Sequence, residues 1–444
     1  MYFTDPVLRA PTLGCMLMCL AASLVGVIVF LRKQSLLGES LSHASYPGVI
    51  LAVVFYSVLF PNDLGGEWLA PCIMVGAFLS SVLGLWVINL LENRFGVRVD
   101  SALCLVLSVF FGVGVTLASR VQFTHTTLYI QIQSYLYGQA ATMTDMHVVL
   151  YGGLSFFIVL VVFLLYKELQ VINFDRDFAL TVGIKANLIE SLIFFLIVLA
   201  VIVGIRSVGV VLMSAMLIAP AAAARQYTNK LYKMFFLSAF FGVASGFFGV
   251  VISVEYSQYL KAFYPSWRVS LPTGPVIVLV ASSICVLSLL IAPERGVLLR
   301  TWRIMKFRFQ CLQENLLKTI WRFGEVKGVA LSQLANLQST SRYIVYFTLS
   351  RLIDQGWVVK IEGDMYQLTT DGQHRAAHIV RLHRLWEVYL ASYLGFGVER
   401  VHKSAEEMEH IITPELEEKL TDLLHDPKRD PHFQPIPPRK ATIP

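Results

Sequence analysis

Nine stretches of the chain are apolar for long enough to cross the hydrocarbon layer of a bilayer, which takes ~20 helical residues with a range of ~17–25. They cover residues 12–31, 44–60, 68–91, 101–119, 148–166, roughly 186–205, 207–224, 234–254 and 275–292. Two are weaker. Residues 186–205 contain Glu190, and 207–224 are interrupted by Pro220 and also fit a re-entrant segment, so eight or nine spans are expected. The first run is longer than the ~7–15 residues of a cleavable signal core and reads as the first membrane helix.

After residue 292 the pattern changes. Residues 293–310 interleave Arg295, Arg300, Arg303, Lys306 and Arg308 with large apolar residues. That pattern suits a helix lying on anionic lipid, or a plain extension of the last span stopped by charge. From Gln313 short amphipathic helices follow: LLKTIWRF, VALSQLANL and STSRYIVYFTLSRLIDQGW, with a polar break at 338–341 between the last two. WVVKIEGDMYQLTTDG then reads as two strands around Glu362-Gly363-Asp364, where Gly363 supplies the positive φ of a tight turn. Two helices, a turn, a third helix and a hairpin make a winged helix.

Composition sharpens this division. Hydrophobic residues make up 56% of the 444 and charged residues 15%, against ~25% charged in a typical soluble chain, which excludes an ordinary soluble protein. From Pro293 onward lie 21 of 36 Lys+Arg, 18 of 30 Asp+Glu and seven of ten histidines. The net charge of +6 divides evenly between the two parts and names no partner. Five of the six cysteines sit in apolar runs and none is in a CxxC pair, so no disulfide framework is expected. Basic residues gather at 32–33, 94–98, 167–185, 225–233 and 295–303. By the positive-inside rule these loops and the tail are cytoplasmic, and nine spans put the N-terminus outside.

Few polar residues interrupt the spans. Glu39 and His43, in GESLSHASYPG, are four apart and share a helical face. A carboxylate and an imidazole there suit a passing divalent transition ion, and they equally suit an interfacial helix start with a solvated histidine. Asp175 and Asp177, in FDRDFALTVGI, fall on a loop between spans, either a docking turn for a cytosolic partner or a solvated loop. No Gly-Lys dipeptide occurs, so the chain has no phosphate cradle of the GxxxxGK[ST] kind, and a partner or an ion gradient has to supply energy. An ion-coupled carrier would bury ionisable residues at mid-membrane, and Glu190 is the only candidate.

In the tail, Thr340, Ser341, Arg342, Tyr343 and Tyr346 on the third helix are candidates for groove or phosphate contacts, with Lys360 on the wing. Winged helices also serve as protein-interaction modules, and the tail's charge is modest for a DNA binder. His383 and Glu387 are four apart, and His402, Glu406, Glu409 and His410 occupy one face of a following helix. Two such faces together would offer nitrogen and oxygen ligands without thiolate, a set that favours Mn²⁺ or Fe²⁺ over a structural Zn²⁺ site. A solvated helix laced with Glu–His pairs fits the same spacing.

GESLSHASYPGVILA, FDRDFALTVGIKA, RSVGVVLMSAMLIAPAAAARQ and LPTGPVIVLVAS resemble, in order and over residues 10–292, the permease subunits of ABC importers for zinc, manganese and iron. The resemblance implies that Glu39 and His43 coordinate or gate the metal. It also implies that Asp175, Asp177, Phe178 and Gly183 belong to the segment that couples to a cytosolic ATPase. The family more often has Asp at the position of Glu39. Two permease subunits around one pathway and an extracytoplasmic metal-binding protein complete the expected assembly.

ENLLKTIW, the helix-turn-helix, QLTTDGQ, RLHRLWE, VERVHKSAEEMEHIITPELEEKL and DPHFQPIP are similar, over 313–437, to the first two domains of the diphtheria-toxin-repressor family of metal-dependent regulators. That resemblance assigns His383, Glu387 and His402 to one metal cluster, and Glu406, Glu409, His410 and Asn315 to another. Glu406 stands where some members have Cys, as in the manganese-selective branch, and Asn315 where others have Met or Asp.

The expectation is therefore an all-α polytopic membrane domain (1–292) and a basic juxtamembrane linker (293–310). A cytoplasmic winged helix (311–375) and a helical metal-binding and dimerisation domain (376–444) follow. The whole is an ATP-driven permease for Mn, Fe or Zn in a bacterial inner membrane, with no ATPase site of its own. The divalent metal is both substrate and corepressor, and a dimer of the tail binds operator DNA. Two alternatives stay open: a tail that senses metal in place and inhibits transport without touching DNA, and an ion-coupled secondary transporter.

Overall fold

The computed structural model describes residues 2–60, 68–124, 126–263, 271–323, 328–361 and 363–439. It divides into two compact units, residues 1–300 and 301–444.

The first unit is helical: α1 Pro6–Leu31, α2 Ser35–Leu59, α3 Leu69–Phe95, α4 Val99–Thr124, α5 Thr126–Tyr137, α6 Asp145–Leu164, α7 Tyr166–Phe174, α8 Arg176–Thr181, α9 Ala186–Ile205, α10 Met213–Tyr227, α11 Leu231–Phe263 and α12 Thr273–Ile291. In hydrocarbon every backbone polar group needs an internal partner, which favours helices. Among the described residues eight are long and apolar enough to cross a membrane: α1 to α4, α6, α9, α11 and α12. The expected run at 207–224 became something shorter. Residues 206–212 form turns, and α10 has 15 residues, about 22 Å at 1.5 Å per residue. The turn depends on tertiary contacts, because Gln139 N donates to Arg206 O and Val210 N to Tyr135 O.

Polar ties gather at both ends of this unit. At one end Arg9 pairs with Asp145 at 2.8 Å, the Tyr2 hydroxyl donates to Glu255 at 2.7 Å, and Arg206 donates to the Tyr135 hydroxyl at 2.7 Å. At the other, Arg32 Nε donates to Asn173 at 3.0 Å and Arg295 to Asn229 at 2.5 Å. Arg206 precedes α10 and Asn229 follows it, so this short helix also passes from one end to the other. Among the described residues nine helices run between the two ends, eight of them long enough to cross a membrane.

Helices α1 and α2 are the most enclosed, 72% buried over their most apolar windows against 28% for α3 and α4. Small residues allow this. A Cβ on Gly26 would lie 1.8 Å from Leu217 O, and one on Gly48 would lie 2.1 Å from Gly76 O. Close backbone approach at glycine is how membrane helices gain packing without a hydrophobic drive between them.

The second unit begins on α13 (Val297–Phe323), an unbroken helix that starts inside the stretch expected as a linker. Then come β1 (Val329–Ala330), α14 (Leu331–Leu337), α15 (Arg342–Asp354), β2 (Val358–Ile361), β3 (Met365–Leu368), α16 (Thr370–Ser392), α17 (Val398–Met408) and α18 (Pro414–Leu423). The strands form one antiparallel sheet in the order β1-β3-β2, with Val329 opposite Tyr366 and Val358 opposite Leu368. Gly363 takes φ +77° at the wing turn, while Glu362 lies outside the described residues. Leu316, Leu317 and Ile320 of α13 pack with Val345, Leu349 and Leu352 of α15, Tyr366, Ala376 and Ile379 in one core. The fully buried Arg381 joins α16 to α18, donating to Glu417 at 3.3 Å, Thr421 at 3.2 Å and Pro437 O at 2.9 Å.

The Gly48–Gly76 approach predicts that Gly48→Val, which overpacks this crossing, costs about 1–3 kcal/mol. Thermal unfolding of the detergent-solubilised protein should shift down. An unchanged midpoint would show that α2 and α3 are not packed this closely.

Candidate metal centres

Glu39 and His43 stand one turn apart on α2. Glu39 is half-buried and lines an open cavity of about 360 Å³ together with Ser35, Ser214, Ala222, Ser282 and Cys285. His43 is buried outside that lining, its ring edge-on to Phe111 at 4.6 Å, and its Nδ1 has no hydrogen-bond partner. Sequence reasoning passed over His147 and Arg206, which share a small enclosed space with Tyr135 and Tyr151. His147 Nδ1 sits 2.7 Å from the Thr144 hydroxyl as part of the α6 cap. Its only sequence signal is being one of the three histidines ahead of residue 293.

The Asp175 carboxylate caps α8, accepting from Asp177 N and Phe178 N at 3.0 Å each. Arg176 binds Glu190 at 3.0 Å and Asn187 at 2.9 Å, which fixes α8 on the first turns of α9. Glu190 is thus paired at a helix start and does not stand at mid-span. Phe178 is exposed, as is Asp177, and Gly183 takes φ +85° just beyond the helix.

On the winged helix, Ser341, Arg342, Tyr343 and Tyr346 are exposed at the start of α15, with Tyr343 89% accessible. Thr340 is half-buried and its hydroxyl donates to Gln338 O at 2.8 Å. Lys360 reaches across the wing to Asp364.

Among the described residues, a tight cluster of ligand-type groups lies between α16 and α17. His383, Glu387 and His402 each offer an atom within 4.8 Å of the others. His383 Nε2 is 3.1 Å from Glu387 Oε1 and 3.1 Å from His402 Nδ1, which is 2.9 Å from the same carboxylate oxygen. His383 and Glu387 are buried and His402 opens to solvent. Two imidazoles and a carboxylate converging at this distance fit a divalent transition ion. The second set is arranged differently. Glu409 is fully buried and accepts from Lys318 Nζ at 2.8 and 3.1 Å and from His383 Nδ1 at 2.5 Å. His410 Nδ1 pairs with Glu314 Oε2 at 2.6 Å. Asn315 Oδ1 is buried without a partner, and Glu406 is exposed and joins no group of three among the described residues. Glu314 and Lys318 were not singled out from the sequence, although both flank Asn315 within one helical turn.

The electrostatics follow from burial and pairing. Burial pushes the His383 pKa down, but the carboxylates of Glu387 and Glu409 outweigh it and leave the net shift upward from 6.5. Burial pushes Glu387, Glu409 and Glu314 up, and their histidine partners, with Lys318 for Glu409, bring all three below 4.5. Without metal, the raised His383 stabilises the fold fully below its unfolded pKa, and that stability is lost as pH rises through the folded value. The three carboxylates stabilise it above 4.5, and their share is lost as pH falls through their lowered folded values.

Residues 4–292 match the ABC 3 transport family, and the chain belongs to it. Residues 369–438 match the metal binding and dimerisation domain of iron dependent repressors. The chain is 38% identical to a probable metal transport system membrane protein of Chlamydia pneumoniae over 99% of both chains. It is 38% identical to the zinc transport system membrane protein TroC of Treponema pallidum, over 70% of this chain and 97% of that one. Among solved structures, PsaBC from Streptococcus pneumoniae aligns with a TM-score of 0.54 and 27% identity, covering 66% of this chain and 94% of that one. The protein is a multi-pass metal-transport permease carrying a repressor-like domain.

A ligand must displace the His383 proton, so Mn²⁺ affinity of the tail should climb as pH rises above 6.5, with roughly one proton released per ion. Calorimetry in buffers of different ionisation heat measures both. Affinity flat with pH would remove His383 from the ligand set.

Proposed function

We propose that this chain is the membrane subunit of an ATP-driven importer for a first-row divalent metal, Mn²⁺ or Fe²⁺ ahead of Zn²⁺, whose tail reads the metal's cytosolic level and binds operator DNA as a dimer. The single observation that carries the sensing half is the His383–Glu387–His402 cluster in the same unit as the winged helix. A metal held there would be gripped by two imidazoles and a carboxylate. It can favour the DNA-competent state only by its extra affinity for that state. Ser341, Arg342, Tyr343 and Tyr346 would meet DNA, Lys360 its backbone, and Thr340 the helix turn beside it.

In the membrane, Glu39 and His43 would pass the ion along one face of α2. An imidazole nitrogen buried without a partner costs about 1–3 kcal/mol, and the Nδ1 of His43 is such an atom. A cytosolic ATPase would dock on the exposed Phe178 and Asp177 of α8, with Asp175 and Gly183 shaping the segment. A second permease subunit and an extracytoplasmic metal-binding protein complete the assembly. The basic loops favour a bacterial inner membrane protein with its tail in the cytoplasm.

One observation favours the in-place sensor: α13 runs unbroken from Val297 to Phe323, with no break in the helix at residue 300. The pairing of Glu190 with Arg176 weighs against an ion-coupled carrier.

Uptake of radiolabelled Mn²⁺ by cells should fall to background in Glu39→Ala and in His43→Ala with the protein still in the membrane. Normal uptake in both would take them off the pathway. A gel shift with residues 301–444, checked for folding by circular dichroism, should show metal-dependent retardation of upstream promoter DNA. A folded fragment that binds no DNA with any metal, together with uptake altered by deleting it, would favour the in-place sensor.

A further inference from the structure

Resting on the reading of the tail as a metal sensor, we infer that the Lys318 ammonium stands in for a second metal ion. The tail then takes one metal per chain, at His383, Glu387 and His402, and Lys318 and Glu409 position His383 for it. The two-cluster expectation would gather Asn315, Glu406, Glu409 and His410 around an ion. In the structure that space already holds a cation. Both oxygens of Glu409, whose side chain has no exposed surface, accept from Lys318 Nζ. His410 turns Nδ1 to Glu314, which also takes Gln310 at 3.1 Å and Arg375 at 3.6 Å, and its Nε2 stands 3.7 Å from the Glu409 oxygen that already accepts from Lys318. Glu406 faces solvent. What remains is His410 Nε2 and the buried, unpaired Asn315 Oδ1, and without a free carboxylate these two cannot draw a divalent ion to the side of an ammonium.

The same contacts reach the first cluster. His383 turns Nε2 toward Glu387 and His402 and Nδ1 toward Glu409. A metal-bound histidine usually gives its other N–H to a carboxylate, which sets its tautomer and orientation. Glu409 fills that place and Lys318, on α13, holds Glu409. The first helix of the winged unit is therefore tied to the metal's own ligand through Lys318, Glu409 and His383, and its docking does not wait for a second ion.

The test counts Mn²⁺ bound to the full chain in lipid nanodiscs by equilibrium dialysis and elemental analysis. His383→Ala should lose one ion and His410→Ala none, while Lys318→Glu, which exchanges the ammonium for a carboxylate, should gain one. Glu409→Gln should keep the count and weaken Mn²⁺ binding ~10–100-fold. Lys318→Arg should retain wild-type affinity, which separates positioning from general damage. If His383→Ala and His410→Ala each cost a different ion, two sites fill and the inference fails while the sensor reading stands. If neither costs an ion, the sensor reading falls and takes the inference with it. No gain with Lys318→Glu in a chain that keeps its His383 ion also overturns the stand-in.

Discussion

A carboxylate with no exposed surface cannot stay charged without close partners, and Glu409 has two of them, Lys318 from α13 and His383 from α16. Removing one partner from a buried pair typically costs about 3–5 kcal/mol, because the other charge stays behind unpaired. The organisation of the second unit turns on this contact. It ties the first helix of the winged unit to the helix that carries two of the candidate ligands. It also decides which nitrogen of His383 is left to face Glu387 and His402. Arg381 does similar work on the far side of α16, with Glu417 and the backbone of Pro437 as partners.

The first unit obeys a different constraint. Its helices carry their own backbone hydrogen bonds, and contact between them is a matter of shape. Glycines at the crossings of α1 with α10 and of α2 with α3 bring backbones together where a side chain would collide. The two proposed pathway groups sit on the enclosed helix α2. Glu39 borders a cavity and His43 is buried one turn further along. A carboxylate and an imidazole on a rigid, well-packed helix keep their spacing, which suits a transport site better than a loop would.

The spans were legible because hydrocarbon demands ~20 apolar residues and little else competes with that signal. The short α10 was not, since the turn at 206–212 is set by hydrogen bonds to residues 135 and 139, about 70 positions earlier. The wing was legible from Gly363, whose positive φ marks the turn. Of the metal candidates, His383 and Glu387 could be paired from helical spacing alone, and α17 brings His402 to them. The partners Glu314 and Lys318 could not. Both lie more than 90 residues from His410 and Glu409, and one-dimensional periodicity carries no information about which charges meet across that gap.

The central claim is that the tail holds one divalent ion between α16 and α17. Anomalous X-ray scattering at the manganese edge, from crystals of the full chain grown with Mn²⁺, tests it directly. The account predicts a peak bounded by His383 Nε2, Glu387 and His402, and none between Glu409 and His410. A peak between Glu409 and His410, or a tail without any peak while Mn²⁺ is visible elsewhere in the crystal, would contradict it.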